Sequence, residues 1–330
     1  MNFENSPRLF KKHPLNPILH PSMWPYPANS VFNPGAALFG NEVLLLVRVE
    51  DLRGISHLTV ARSKDGITNW EIDPEPTLMP DPRYHPEEVW GIEDPRIVYL
   101  EELGKWAVTY TAYSSGGPLV SLALTDDFRT FKRLGPVMPP EDKDAALFPQ
   151  RFQGRWAMIH RPSITAIRGK MHMWISFSPD LRHWGDHQIL IEARDGPFWD
   201  ANKIGLSPPP LRTKEGWLIM YHGVKETASG CIYRVGLALL DLYDPTRVIR
   251  RTDSWVLAPQ EGYERIGDVA DVVFPCGWVL DEKAGEIKLY YGAADTACAL
   301  AEARLDELLQ FVLSSPEPEQ RMYFCFREGQ

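Results

Sequence analysis

The sequence predicts an all-β chain: a five-bladed β-propeller with a short helical segment near the C-terminus. Three observations carry that expectation. A unit made of a Pro-containing strand, a tight turn and an apolar strand with a polar end recurs five times. Asp-closed turns stand between the copies, at Ser63-Lys64-Asp65, Thr125-Asp126-Asp127 and Ser178-Pro179-Asp180, with Tyr243-Asp244-Pro245 as a looser fourth. Only Thr296 to Val312 has the crowded Ala, Leu and Glu of a helix.

The first copy runs from Phe32 to Phe39, turns at Gly40-Asn41, and returns through Val43 to Val47 with Arg48 at its end. The second joins Asp94-Pro95-Arg96-Ile97 through Leu103-Gly104 to Trp106 to Thr111. Phe148-Pro149 opens the third, which turns at Gln153-Gly154 and ends in His160-Arg161. In the fourth, Ser207-Pro208-Pro209 leads through Glu215-Gly216 to Tyr221-His222. The fifth joins Phe274-Pro275-Cys276 through Ala284-Gly285 to Tyr290-Tyr291-Gly292, with Asp295 beyond. Pro in a strand interior removes a ladder hydrogen bond, so Pro95 is expected at a strand start and Asp94 at the strand's mouth. Blades around one axis would bring Arg48, Asp94, Arg161, His222 and Asp295 to a single central funnel. Residues 1–330 are expected to be one catalytic propeller domain with an N-terminal arm and a C-terminal extension.

Charge and composition narrow the partners. A net charge of −9 with no basic run argues against nucleic acid. No apolar run reaches the length of a membrane span, and Met1-Asn2-Phe3-Glu4-Asn5 lacks the pattern of a signal peptide. Cys231, Cys276, Cys298 and Cys325 form no CxxC pair. They are expected as buried thiols of a cytoplasmic protein, with neither a disulfide framework nor a metal site. The 29 prolines and 11 tryptophans suit turn-rich β structure with aromatic-lined pockets. The N-terminal arm and Thr296–Val312 are the candidate contact surfaces for a homo-oligomer.

The chemistry centres on Val89-Trp90-Gly91-Ile92-Glu93-Asp94-Pro95-Arg96. An isolated Glu-Asp-Pro-Arg more often marks a structural ion pair than a site. At a funnel mouth, however, a carboxyl held beside apolar rings keeps its proton and can act as a general acid. Arg48, Arg161 and His222 occupy equivalent strand ends, and Lys203 lies in Trp199-Asp200-Ala201-Asn202-Lys203. Each has a bland partner or role: Glu50 or Asp51 for Arg48, Asp200 for Lys203, a core position for His222. Gathered in one cavity of an acidic protein, the cations repel one another unless an anion joins them. Phosphate suits forked guanidinium donors.

Gly91-Ile92-Glu93-Asp94-Pro95-Arg96 resembles the signature of glycoside hydrolase family 130, the β-mannoside phosphorylases. Asn29-Ser30-Val31-Phe32-Asn33-Pro34-Gly35, Tyr221-His222-Gly223-Val224 and Val272-Val273-Phe274-Pro275-Cys276-Gly277 are similar in the same order. The resemblance implies a five-bladed propeller that cleaves a β-mannosidic bond with inorganic phosphate, inverting C1 to give α-mannose 1-phosphate. It implies Asp94 as the sole catalytic acid, acting through the mannose 3-hydroxyl, and Arg48, Arg161, Lys203 and His222 as the phosphate cradle. Asp295 and Asn29 would contact the mannose. Ser30, Trp90, Glu93, His160, Asp200 and Tyr221 are further candidates around the substrate. Phosphate is the expected co-substrate, with no cofactor.

Two rivals share this fold. An inverting β-mannosidase would use water and need a second carboxylate as base, for which Glu93, Asp200, Asp268 and Asp271 are candidates. A non-catalytic glycan-binding propeller would use Trp24, Trp90 and Trp199 as stacking platforms. The linkage and acceptor sugar stay open between mannobiose, mannooligosaccharide, mannosyl-glucose and mannosyl-N-acetylglucosamine.

Overall fold

Five antiparallel sheets stand around one axis in the computed structural model, which describes residues 9–163, 169–228 and 230–318. The first strand, β1 (Lys11–Lys12), belongs to the last blade. Blade one is β2 (Ser30–Phe39), β3 (Glu42–Glu50), β4 (Ser56–Ser63) and β5 (Glu71–Ile72). Blade two is β6 (Ile92–Leu100), β7 (Lys105–Ser114), β8 (Gly117–Thr125) and β9 (Lys132–Pro136). Blade three follows as β10 (Asp142–Phe152), β11 (Arg155–Pro162), β12 (Met173–Ser178) and β13 (Gly185–Ile191). In blade four, β14 (Lys203–Leu206) and the short β15 (Leu211–Arg212) both pair with β16 (Trp217–Thr227), followed by β17 (Gly230–Leu240) and β18 (Val248–Arg251). Blade five has β19 (Val273–Asp281), β20 (Glu286–Ala293) and β21 (Ala297–Arg304), and takes β1 as its outermost strand.

The second strands are apolar on both faces because each blade is covered by two neighbours. Leu44, Leu45, Leu46 and Val47 of β3 are all buried, alternate residues serving opposite seams. Among the described residues the large hydrophobic clusters accordingly number five, one for each seam between blades. The ring is closed by a clasp: Lys11 pairs with Glu302, and the Lys12 ammonium donates to Glu264 Oε2 at 2.5 Å and to the Ala258 carbonyl at 3.1 Å. Glu264 is buried and also accepts from the Tyr291 hydroxyl at 2.9 Å.

The Asp-closed turns are present where β4, β8 and β12 lead to the outer strands. Asp65, Asp127 and Asp180 each accept from two backbone N–H groups that follow. In blade four the equivalent carboxylate is Asp241, which accepts from Tyr243 N and Asp244 N, not Asp244 itself.

Several expectations need correction. Pro95 lies inside β6 and not at its start, because the ladder is interrupted by a bulge between Glu93 and Arg96 and no hydrogen bond is lost there. The repeat is also less regular than its prolines. Pro34 sits at a matching bulge, but in blade three the matching residues are Asp144-Ala145, and Pro209 follows β14. Finally, Thr296 to Arg304 is not helical. Its alanines pack into blade five as β21, between β20 and β1, and only α1 (Gly262–Arg265) and α2 (Leu305–Leu313) are α-helical among the described residues. Small residues suit a crowded seam, and tertiary pairing overrides their helix preference. Cys276 and Cys298 are buried free thiols, whereas Cys231 is exposed, and Cys325 lies outside the described residues. No helix among the described residues is long and apolar enough to cross a membrane.

Candidate active site

The bulges of the first three inner strands build the site. Asn33, Asp94 and Asp144 each occupy the left-handed region, with φ of 47°, 51° and 55°. Asn and Asp tolerate that conformation better than other residues with a side chain. The kink it makes turns all three side chains into one axial cavity of about 310 Å³. Arg48, Lys143, Arg161, Lys203, His222 and Asp295 line the same cavity, with Tyr233, Val269, Val272 and Phe274 as an apolar wall.

Asp94 is buried and firmly held. Its Oδ1 accepts from Asn33 Nδ2 at 2.8 Å and from Arg48 Nη1 at 3.0 Å. Arg48 also donates to Glu93 Oε1 at 3.1 Å and to the Ser56 hydroxyl at 3.0 Å. Gly91 makes that arrangement accessible: its φ is 121°, and a Cβ there would meet the Ser56 nitrogen at 2.8 Å. Burial pushes the Asp94 carboxyl up, but Arg48, Lys143, Arg96 and the Asn33 amide outweigh it and hold it below the usual carboxylate range. The apolar-ring environment expected for Asp94 is therefore replaced by a cationic one. Asp295 behaves differently: burial raises it to about 6, with Asp94 and Glu93 adding to the rise and Arg48 and Lys143 opposing it.

The opposite wall is organised by Asp144, whose role the repeat pattern does not reveal. Its buried Oδ2 accepts from Arg161 Nε at 2.8 Å and lies 3.3 Å from His222 Nε2. Burial is outweighed by Arg161, His222 and Arg96, so Asp144 stays ionised well below the usual range. Burial holds His222 below its ordinary value, and Phe274 lies 4.6 Å from its ring. The Lys203 ammonium sits 5.3 Å from the Tyr233 ring centre, and no described residue accepts a hydrogen bond from it. Lys143 comes no nearer a carboxylate than 4.0 Å, at Glu93. Among the described residues, two ammonium groups thus face the cavity with their donors uncommitted, in a protein whose overall charge is −9. A tetrahedral anion fits that donor set.

Other sequence candidates are held apart from the cavity. Strand neighbours face opposite sides, so Arg161 points into the cavity while His160 is buried between Asp142 at 2.6 Å and Ser176 at 2.7 Å. By the same parity His222 faces the cavity and Tyr221 does not. Tyr221 donates to Asp200 Oδ2 at 3.0 Å, which also accepts from Arg251 at 2.7 Å and Arg194 at 3.0 Å. That buried cluster fixes the segment leading to Lys203. Ser30 is buried in β2, Asn29 donates to Asp268 at 2.9 Å on the rim, and Glu93 is paired with Arg48. Trp24 and Trp199 are buried, which removes them as stacking platforms, while Trp90 is 47% exposed and lies edge-on to Tyr113. Asn33, Lys143, Asp144 and Tyr233 are cavity residues that the motif reading passes over. An Asx residue 15 to 17 positions before a strand-end Arg, as in Asn33–Arg48 and Asp144–Arg161, is the signal that finds two of them.

Comparison with known proteins agrees with this architecture. The profile of a family described as β-1,4-mannooligosaccharide phosphorylase, glycoside hydrolase 130, matches residues 12–314. A β-1,4-mannooligosaccharide phosphorylase of Ruminococcus albus is 34% identical over 311 residues, 92% of this chain and 90% of that protein. The structure of a β-1,2-mannobiose phosphorylase from Listeria innocua, in complex with β-1,2-mannobiose, superposes with a TM-score of 0.83 at 32% identity. It covers 92% of this chain and 99% of that one. Another solved structure, from work describing glycoside hydrolases in this family that target β-1,2 mannosidic linkages in Candida mannan, has a TM-score of 0.79 at 26% identity. The match covers 94% of this chain and 96% of that one.

Proposed function

The chain belongs to glycoside hydrolase family 130, and from that premise we propose that it is an inverting β-mannoside phosphorylase. It transfers the mannosyl group of a β-mannoside to inorganic phosphate, giving α-D-mannose 1-phosphate and a shortened sugar. The observation that carries this is the meeting, in one cavity, of a buried carboxyl with two ammonium groups that no described residue engages at hydrogen-bond distance. Asp94 shares the cavity with Lys143 and Lys203, and with Arg161 and His222 that Asp144 holds.

In this mechanism the cations hold phosphate on the α face of C1, where an oxygen is aligned for attack. They also offset its charge as the oxocarbenium-like transition state forms. The new C1–O bond to phosphate forms as the glycosidic C1–O bond breaks, and the leaving oxygen takes a proton originating at Asp94. Asp94 is unprotonated when cations alone surround it. A bound phosphate cancels part of that positive field and so moves the carboxyl back toward the protonated form that the acid needs. In this mechanism Asp295, which lines the same cavity, accepts hydrogen bonds from mannose hydroxyls. Phosphate is the only co-reactant this chemistry requires.

An inverting hydrolase needs a carboxylate free to activate water. Asp144 is engaged by Arg161 and His222, and Glu93 by Arg48, which leaves neither suited to that task. The deciding experiment incubates the protein with β-1,2- and β-1,4-mannobiose, with and without phosphate. Phosphorolysis yields α-mannose 1-phosphate only when phosphate is present. Equal release of free mannose without phosphate would establish hydrolysis instead. In the reverse direction, α-mannose 1-phosphate offered with a panel of acceptors fixes the linkage made.

A further inference from the structure

Arg96 is 1% exposed, yet it carries a full charge and sits two residues beyond Asp94 on β6. Its guanidinium is directed at backbone carbonyls. Nη1 donates to the Asp94 carbonyl at 2.7 Å, Nη2 to the Leu206 carbonyl at 3.2 Å, and Nε to the Ser207 carbonyl at 3.1 Å. The first acceptor is in blade two and the other two are in or just beyond the inner strand of blade four. These blades are not neighbours in the ring, so the side chain crosses the axis. Asp144 of blade three lies 3.6 Å from Nη2, and the Phe274 ring of blade five lies 5.5 Å from the guanidinium carbon.

The two ends of this bridge belong to the two halves of the proposed chemistry. At one end is the backbone of Asp94, in a left-handed conformation that few residues adopt and that aims its carboxyl into the cavity. At the other is β14, which begins at Lys203 and pairs Gly205 with His222, while the Ser207 hydroxyl lies 3.4 Å from His222 Nδ1. Asn33 and Arg48 fix the Asp94 carboxyl itself, but from blade one. Only Arg96, among the described residues, ties the Asp94 backbone directly to β14, the strand that begins at Lys203 and pairs with the one carrying His222.

We propose that Arg96 is a positioning residue: by gripping the Asp94 carbonyl on its own strand and the Leu206 and Ser207 carbonyls across the axis, it sets the separation between proton donor and phosphate. This role rests on Asp94 being the proton donor. A lysine keeps the charge but lacks the planar fork that spans three carbonyls, so Arg96→Lys separates geometry from charge.

The test is a double-mutant cycle on phosphorolysis of mannobiose, with Arg96→Lys, Asp94→Asn and the double variant. Misplacement of about 1 Å lowers catalysis by about a hundredfold, so Arg96→Lys is expected to lose about that much kcat while the phosphate KM changes less than about threefold. On the Asp94→Asn background the same substitution is expected to change the residual rate by less than about threefold, because what Arg96 positions is already gone. Independent, multiplying losses would overturn the role, as would an unchanged kcat or a shift confined to the phosphate KM. If Asp94→Asn alone keeps more than about a tenth of the rate, Asp94 is not the acid; that failure is read from the single variant and is distinct from failure of the cycle. Cooperative thermal unfolding checks each variant, and Arg96→Gln runs the same cycle where Arg96→Lys does not fold. Failure of both to fold would make Arg96 a keystone of the fold and refute a specific positioning role.

Discussion

Anion binding in the axial cavity should draw a proton from solvent, and the structure sets the size of the effect. The cavity of about 310 Å³ is roughly 8 Å across when treated as a sphere, so an anion near its centre lies within about that distance of the lining carboxyls. At an effective dielectric of about 20, a doubly charged anion at about 8 Å disfavours a carboxylate by about 4 kcal/mol, or about 3 pK units. Asp295 starts at about 6, facing Arg48 and Lys143 as well as Asp94 and Glu93. At pH 6.5 its protonated fraction should therefore rise from about a quarter to nearly one, an uptake of roughly 0.75 proton per anion. Sulfate is the useful probe, because it is tetrahedral, doubly charged and does not titrate near that pH. Isothermal titration calorimetry in two buffers of different ionisation enthalpy counts the protons. By linkage, sulfate affinity must rise as pH falls from about 7.5 to 6. Asp295→Asn should remove more than half of the uptake, leaving what Asp94 and His222 contribute. Zero uptake, net release, or an undiminished count in Asp295→Asn would refute the proposed coupling between anion and carboxyls.

Asp94→Asn should leave sugar binding largely intact and lower kcat by about 10²- to 10⁴-fold, the range of a lost general acid; steady-state kinetics retaining more than a tenth of the rate would exclude it. Lys203→Ala removes a charge-assisted contact of about 1.5 to 3 kcal/mol, so the phosphate KM should rise by about 10- to 150-fold with a smaller effect on the sugar KM. An unchanged phosphate KM would take Lys203 out of the cradle. Lys12→Ala breaks the clasp to buried Glu264 and should lower stability by about 1.5 to 3 kcal/mol in urea unfolding, with kcat at 25 °C unaltered. An unmoved midpoint would show that the clasp does not stabilise the ring.

The blades were legible in sequence because turn chemistry and apolar strands recur, and Asp65, Asp127 and Asp180 close the turns their neighbours suggest. Arg48, Asp94, Arg161, His222 and Asp295 also converge on one cavity as the repeat implied, and Lys203, named by the family resemblance, lines it with them. What the sequence hid was facing. A bulge adds one residue and reverses the side to which the strand's side chains point, so counting along β2, β6 or β10 cannot decide which residue enters the cavity. That is why Asn33 lines it while Asn29 stays on the rim, and why Asp144, with no proline beside it, went unmarked. Arg96 was visible as a conventional partner for Asp94, but its true acceptors are carbonyls contributed by a distant blade, which no local pattern encodes.

The clasp between β1 and β21 has a consequence for how the molecule is made. The seam that joins the fifth blade to the first needs Leu19 and Val31 from one end of the sequence and Tyr290, Cys298 and Leu300 from the other. Blades one to four can pair and stack as they leave the ribosome, since domains and their parts form in order of synthesis. Until β19 to β21 emerge, however, blade one presents an apolar flank to water with nothing to cover it. The nascent protein is then an open arc whose two ends are adhesive, and its most exposed moment comes late, when most of its strands are already in place. Chaperone demand and aggregation during expression should therefore concentrate at that stage, and truncations that remove β20 or β21 should yield insoluble arcs in place of smaller propellers.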